Sequence, residues 1–350
     1  MKLLIVGAGA IGQWIGVNLQ RSGVDVGFVG REHFVLAALR DGLRVQMPAG
    51  DAWHVQPAQA YGTVAAAAKD ARFDAIALCV KAYAVEDAMR EITSAGVLAP
   101  HTRVICFQNG IGAEEAAARF VGNERVIAGT LISAVSLVDA TTVKLERAKG
   151  GVGLAHWSAF SGAEAGDIFD AFTAAPLLHA MLYEAPAAMK WSKLLLNLVG
   201  NATSALFRRR VADLLADDFT AQVEMRQLRE AAAVMHAAGI RAVNLPGAPV
   251  SWFARAIHLL PDAPLRWVLR RFFANARGDK WPSFYYDAIH KTGHSEVLWL
   301  NGAVSAQGRL LDVPTPVNDA LTRMVMDAVN ERGGPLQEIV RELKPLLAGE

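Results

Sequence analysis

Disulfide chemistry has almost no material in this chain: two cysteines, Cys79 and Cys106, stand among 350 residues. Both lie in apolar, strand-like runs. That reads as buried reduced thiols in a cytoplasmic protein and excludes a small disulfide-stapled scaffold. Long apolar runs are missing as well. None approaches the ~18 residues that a membrane span needs, and the apolar start is cut by Gly7, Gly9 and Gly12 before it can form a signal peptide. Neither sign of charge is in excess: 35 Lys and Arg oppose 34 Asp and Glu, a formal net charge of +1. There is therefore no general electrostatic argument for a nucleic-acid or membrane partner. The nine histidines show no ligand-spaced cluster, so no metal site is expected. What the chain does have is apolar bulk, 53% hydrophobic against 20% charged residues, enough to fill the cores of two ordinary domains.

The N-terminal half alternates strand and helix patterns. A short buried strand over residues 2–6 runs straight into Gly7-Ala8-Gly9-Ala10-Ile11-Gly12 and then into an apolar helical pattern. In that context the G-x-G-x-x-G spacing has a mechanical reading. Gly7 allows the tight turn, Gly9 lets a pyrophosphate approach the backbone, and Gly12 lets helix pack on strand. The helix N-terminus, with Ala10 and Ile11, turns free N–H groups toward the phosphates. About 20 residues past the glycines, NAD-preferring sites usually place an acid for the ribose hydroxyls. This chain places Arg31 and then Glu32. A guanidinium suits a 2′-phosphate and favours NADP, while Glu32 keeps NAD open. Further strands are expected over 74–80, 103–107 and 125–132, helices over 85–92 and 113–121, and a less regular strand pair at the sheet edge over 144–155. Such alternation predicts a mostly parallel, doubly wound sheet of the Rossmann type. Ligands of such sheets lie beyond the strand C-termini, where Lys81, Gln108 and Asn109 stand.

From Pro186 the pattern is helical. Its centre is Trp191–Asn201, almost entirely apolar, where the exceptions that matter are Lys193, Asn197 and Asn201 at i, i+4 and i+8. On one continuous helix those three form a narrow polar stripe on a buried surface. An ammonium with amides one and two turns away can grip and polarise a carbonyl group. A long helix is expected over 219–238, closed by Gly239. Residues 245–282 are punctuated by prolines and form an amphipathic insertion carrying Arg266, Arg270, Arg271 and Arg277. Trp252, Phe253, Trp267, Phe272 and Phe273 offer apolar walls by which this insertion would reshape or cover a substrate site. Helices over 296–307, 316–330 and 335–347 complete the chain. The predicted domains are residues 1–182 and 183–350, the second all-helical.

Taken in order, Gly7–Gly12, Gly30-Arg31, Val80-Lys81-Ala82, Gln108-Asn109-Gly110 and Trp191–Asn201 resemble the ketopantoate reductase (2-dehydropantoate 2-reductase) family. The likeness continues through Pro282-Ser283, Ser295-Glu296, Asn301-Gly302 and Val313-Pro314-Thr315-Pro316. The resemblance implies a Rossmann domain, a helical domain, a cleft between them, and NADPH-dependent reduction of a 2-oxo acid. It implies Lys193 and Glu296 as catalytic residues and Asn109, Asn197, Asn201 and Ser283 as substrate-binding residues. It implies Gly7, Gly9, Ala10, Ile11, Gly12, Arg31, Lys81, Gln108, Asn109, Ala134 and Glu296 as cofactor contacts. A small-molecule substrate is the expected partner, a homodimer an admissible assembly and the cytoplasm the expected location. Two departures flank the substrate side: one extra residue within 291–294, and the length of 245–282. The rival enzyme reading is a reductase or dehydrogenase of another 2-oxo or β-hydroxy acid, since β-hydroxyacid dehydrogenases also carry Lys-x-x-x-Asn on a helix. The rival of another class is a non-catalytic NADP sensor, which would not need Lys193 and Glu296 together.

Overall fold

The computed structural model describes residues 1–56, 59–70, 72–158, 165–274 and 281–347. Arg277 of the insertion and residues 348–350 lie outside the described residues. By packing, the chain divides into two units. One comprises Met1–Gln108, Gly112–Met189 and Leu245–Ala248; the other comprises Asn109–Ile111, Lys190–Asn244 and Pro249–Glu350. The boundary runs past 182 because a strand at Met181–Tyr183 still pairs with the sheet of the first unit.

The first unit begins with β1 (Lys2–Val6), α1 (Ala10–Arg21), β2 (Asp25–Val29), α2 (Glu32–Asp41), β3 (Leu43–Gln46), β4 (Ala52–Val55), β5 (Gln59–Tyr61) and α3 (Val64–Asp70). It continues with β6 (Phe73–Leu78), α4 (Val85–Ser94), β7 (Leu98–Cys106), α5 (Ala113–Val121), β8 (Val126–Leu131), β9 (Val135–Leu137), β10 (Thr142–Leu145), β11 (Val152–His156), α6 (Gly166–Ala174) and β12 (Met181–Tyr183). The main sheet has the order β12-β11-β8-β7-β6-β1-β2-β5. Pairing from β5 through to β8 is parallel, and β11 runs antiparallel to β8. This is the doubly wound sheet that the alternating pattern predicts. β1 is unbroken in its apolarity because both faces are covered. Leu3 and Ile5 join Trp14 and Ile15 of α1 on one side. Leu4 and Val6 join Met89 and Ile92 of α4 on the other.

The predicted edge pair over 144–155 divides differently. β11 lies inside the main sheet, flanked by β8 and β12, while β10 belongs to a second sheet of order β4-β3-β10-β9. That sheet packs on α1, and Val143 and Leu145 sit in the same core as Trp14. Alternation shows that a segment is a strand and which face is buried, but not which strand lies beside it.

The helical elements are α7 (Pro186–Leu198), α8 (Asn201–Phe207), α9 (Val211–Ala216), α10 (Asp218–Ala237), α11 (Val250–Leu259), α12 (Asp262–Phe273), α13 (Ser283–Ile289), α14 (Asn301–Leu310), α15 (Pro316–Val329) and α16 (Leu336–Leu347). The continuous helix expected through Asn201 is in fact broken. α7 stops at Leu198, Gly200 takes φ +73°, and α8 starts one residue later. Only a residue without a Cβ adopts that conformation cheaply. The segment expected as one helix over 296–307 is likewise split, into a 3₁₀ turn at Glu296–Trp299 and α14. Among the described residues no helix is long and apolar enough to cross a membrane.

From Pro249 onward the described part of the insertion spends its buried side within the helical unit, while Leu245–Ala248 belong to the first unit. Leu265, Val268 and Leu269 are buried, Phe253 meets Phe273 with ring centroids 5.1 Å apart, and α11 and α12 pack on α9 and α10. Trp252, Trp267 and Phe272 are exposed. Arg266 fastens the segment. Its Nε donates to the Leu215 carbonyl at 3.1 Å, Nη2 donates to the Ala216 carbonyl, and Nη1 meets Asp218. These are the last carbonyls of α9, where a cation complements the helix dipole. Arg266→Ala should cost about 1.5–3 kcal/mol, the usual worth of charge-assisted hydrogen bonds, read as a lower urea midpoint with an unchanged denaturant slope.

Candidate active site

The turn after β1 is built as its glycines require. Gly7 takes φ +104°, and both Gly7 and Ala8 donate their N–H groups to the Val29 carbonyl at 3.1 Å. A Cβ on Gly12 would stand 2.2 Å from the Gly7 carbonyl oxygen and 2.8 Å from the Ile5 side chain, so α1 can close on β1 only with glycine there. Around Gly9 the situation is reversed: a Cβ would find nothing within 4 Å, which leaves the backbone open from that side. The first helical hydrogen bond runs from the Gln13 N–H to the Gly9 carbonyl at 2.9 Å. The N–H groups of Ala10, Ile11 and Gly12 therefore have no acceptor within their own helix. An open backbone beside three donors and a positive dipole end fits a pyrophosphate.

At the end of β2, Gly30 packs so closely that its Cβ would lie 2.5 Å from Phe34 and 2.9 Å from Ala8. Arg31 follows as the exposed N-cap of α2, with extended backbone (φ −66°, ψ 157°), and Glu32 is the first helical residue. As an acid in the first turn, Glu32 already has a favourable place beside the helix dipole.

The remaining predicted cofactor positions of the first unit sit at strand ends. Lys81 is exposed and precedes a 3₁₀ turn at Ala82–Ala84. Gln108 is buried, and its amide donates to the carbonyls of Leu78 (2.9 Å) and Val80 (3.0 Å). It therefore ties the end of β7 to the end of β6. Ala134 is half-buried, and its carbonyl accepts from the Glu146 N–H at 2.8 Å.

In the helical unit the structure brings several predicted residues together. The three residues that follow Gln108 pack with this unit: Ile111 donates to the Trp299 carbonyl at 2.9 Å, and Gly110 lies against the same group. This presents Asn109 to Asn197, whose Nδ2 donates to the Asn109 Oδ1 at 3.0 Å. The Asn201 side-chain amide donates to the backbone carbonyl of Asn197 at 2.5 Å, so it is tied to the end of α7 across the helix break. Lys193 is half-buried one turn before Asn197. Its neighbour Ser192 is wholly buried and accepts from the Val243 N–H at 2.8 Å, which fixes α7 to the loop after α10. Ser283 starts α13, which packs on α8. Glu296 is 3% exposed and opens the turn that ends in Trp299.

A polar network behind these residues escaped the reading of the sequence. Gln227 of α10 donates to Glu224 at 2.9 Å and accepts from the Asn301 amide at 2.8 Å. Asn301 also donates to Asn318 at 2.9 Å, and Asn318 donates to Glu230 at 2.7 Å. Glu230 accepts the Val317 and Asn318 N–H groups at the start of α15, at 3.0 and 2.9 Å. Burial pushes the Glu230 carboxyl up, against the pull of those donors. Glu224, Gln227 and Glu230 recur every three residues along α10, so they share one side of it. That spacing was the available signal.

Comparisons with known proteins agree with this layout. The family model described as Ketopantoate reductase PanE/ApbA matches residues 3–159, and its C-terminal counterpart matches residues 187–328. The 2-dehydropantoate 2-reductase of Mesorhizobium japonicum is 27% identical over 361 aligned positions, covering 95% of this chain and 99% of that protein. That of Lactococcus lactis is 26% identical over 335, covering 93% and 97%. Among solved structures, a D-mandelate dehydrogenase with NADH and anilino(oxo)acetate shares the fold, with a TM-score of 0.77 at 24% identity, over 95% of this chain and 99% of that one.

Proposed function

Because the chain belongs to the ketopantoate reductase family and is an oxidoreductase of that type, we propose that it reduces 2-dehydropantoate to pantoate with NADPH, Lys193 serving as general acid. The observation that supports this most is the Asn197–Asn109 hydrogen bond, which ties the residue just past the end of β7 to the lysine helix one turn from Lys193. The open glycine turn fits the cofactor's pyrophosphate, with Arg31 for a 2′-phosphate, and Lys81, Gln108, Asn109, Ala134 and Glu296 are the further contacts in this reading. When bound, the reduced nicotinamide supplies hydride to the carbonyl carbon. Lys193 counters the negative charge that grows on the carbonyl oxygen and delivers the proton that makes it a hydroxyl. Asn197, with its amide plane fixed by Asn109, orients the carbonyl. Asn201 and Ser283 present neutral donors to the carboxylate and hydroxyl oxygens, and Glu296 is the buried carboxylate that faces the same chemistry.

A panel of 2-oxo acids, mixed with protein and NADPH or NADH and followed through the absorbance of the reduced cofactor, tests the reading. Turnover should be highest with 2-dehydropantoate and NADPH. A panel without turnover, in the presence of intact NADPH binding, would leave a sensor of the cofactor instead. A second reading, another 2-oxo acid reduced with NADH, is favoured by Glu32 beside Arg31 and by the NADH of the similar D-mandelate dehydrogenase.

Arg31 decides between the cofactors. One charge-assisted phosphate contact is worth about 1.5–3 kcal/mol. Arg31→Ala should therefore raise the NADPH Kd by about tenfold or more and leave the NADH Kd unchanged. Equal weakening of both would remove Arg31 from the role.

A further inference from the structure

We propose that Glu224, which is wholly buried on α10, is a positioning residue that fixes the break between α7 and α8 and thereby sets Asn201 of α8 relative to Lys193 and Asn197 of α7. The role rests on the assignment of those three residues to the reaction.

The carboxylate sits where the helix changes course. The Gly200 N–H lies 3.1 Å from each of its oxygens, and the Thr203 hydroxyl donates to Oε1. Gln227 donates to Oε2 at 2.9 Å and also reaches the Leu198 carbonyl at 3.4 Å. Glu224 and Gln227 together thus hold the last residue of α7 on one side of the break and the first turn of α8 on the other. Glu224 is 0% exposed, and so are Gln227 and Thr203.

The chemistry of the partners is one-directional. A backbone N–H and a side-chain amide NH₂ can only donate, so Glu224 must accept from both. The amide of Gln227 cannot turn over, because its Oε1 is already the acceptor for Asn301. Asn301 is the first residue of α14, directly after the turn that carries Glu296 and Trp299. The same chain of bonds therefore registers Glu296 against the lysine helix. A carboxylate supplies acceptors in two directions at once, which an apolar residue of the same volume cannot do. Misplacement of reacting groups by about 1 Å can cost on the order of 10²-fold in rate, so a cap that sets this geometry acts on turnover and not on stability alone.

The test compares Glu224→Ala, which removes every acceptor, with Glu224→Gln, which keeps the volume and one acceptor while Thr203 rotates to accept. Assays run well below each variant's melting temperature. Glu224→Ala should lose about tenfold or more in kcat for the 2-oxo acid, with NADPH Kd unchanged, and Glu224→Gln should regain most of it. A folded Glu224→Ala that keeps kcat and KM while its Tm falls would overturn the proposal. Selective ¹⁵N-asparagine labelling gives a readout that does not need turnover, so it stays decisive if no 2-oxo acid proves to be a substrate. The side-chain amide resonances of Asn197 and Asn201 should move in Glu224→Ala and lie close to the parent positions in Glu224→Gln, while that of Asn18 in the first unit stays in both. Unmoved Asn197 and Asn201 resonances in folded Glu224→Ala would also overturn it.

Discussion

Lys193→Ala is expected to fold, to bind NADPH as the parent does, and to turn over about 10²–10⁴ times more slowly, the usual worth of a general acid. The reason is positional. Lys193 stands half-buried one turn before Asn197, whose amide is held by Asn109. The other lysine of α7, Lys190, lies three residues before Lys193 and farther from Asn197 along the helix, so it does not take the place of Lys193. Because the turn proposed for the pyrophosphate, Gly7–Gly12, belongs to the other unit, cofactor affinity should survive. Stopped-flow turnover with fluorescence titration of NADPH separates the two quantities. A variant with full kcat would remove Lys193 from the chemistry.

Gly110→Ala is the second change with a large expected effect. Gly110 has φ +85°, and a Cβ there would stand 2.1 Å from the Trp299 carbonyl oxygen and 2.6 Å from its carbon. Both atoms are backbone, so no side-chain rotation relieves the clash. Left-handed strain of about 1–3 kcal/mol adds to overpacking of similar size, roughly 2–6 kcal/mol in all. That is a large share of the 5–15 kcal/mol by which folded proteins usually stand above unfolding. The urea midpoint should fall steeply. The surviving folded protein should also show a lower kcat/KM, because relieving the clash moves Asn109 away from Asn197. An unchanged midpoint would mean that the Asn109–Ile111 segment does not sit against Trp299 as described.

The readable parts of this chain were those written in local geometry. Gly7, Gly9 and Gly12 each do what their spacing requires, since a tight turn, an open approach and a close helix crossing are set within a dozen residues. The long helix closed by Gly239 was equally plain, as α10 ends two residues before a glycine at φ +68°. What could not be read depends on partners distant in sequence. Gly200 looks like an ordinary helix residue until Glu224 takes its N–H and Val211 fills the space where a Cβ would be. Asn109–Ile111 look like the tail of a strand until Trp299, nearly 190 residues on, supplies their acceptor. Val143 and Val152 carry similar strand patterns, yet one pairs in the second sheet and the other beside β8. Lys193, Asn197 and Asn201 stood out because they recur every four residues in a largely apolar run. Glu224 did not, because an acid on a long helix usually faces water.

The most direct test of the central claim follows the hydride itself. Purified protein is given 2-dehydropantoate and NADPH with both hydrogens of its hydride-donating carbon replaced by deuterium, and the product is examined by mass spectrometry and NMR. Pantoate should carry one deuterium, on the carbon that was the carbonyl carbon, and form in equal amount to the NADPH consumed, with almost none of it from Lys193→Ala. NADPH bound but not consumed, or consumed without deuterated pantoate, would contradict the proposed reduction.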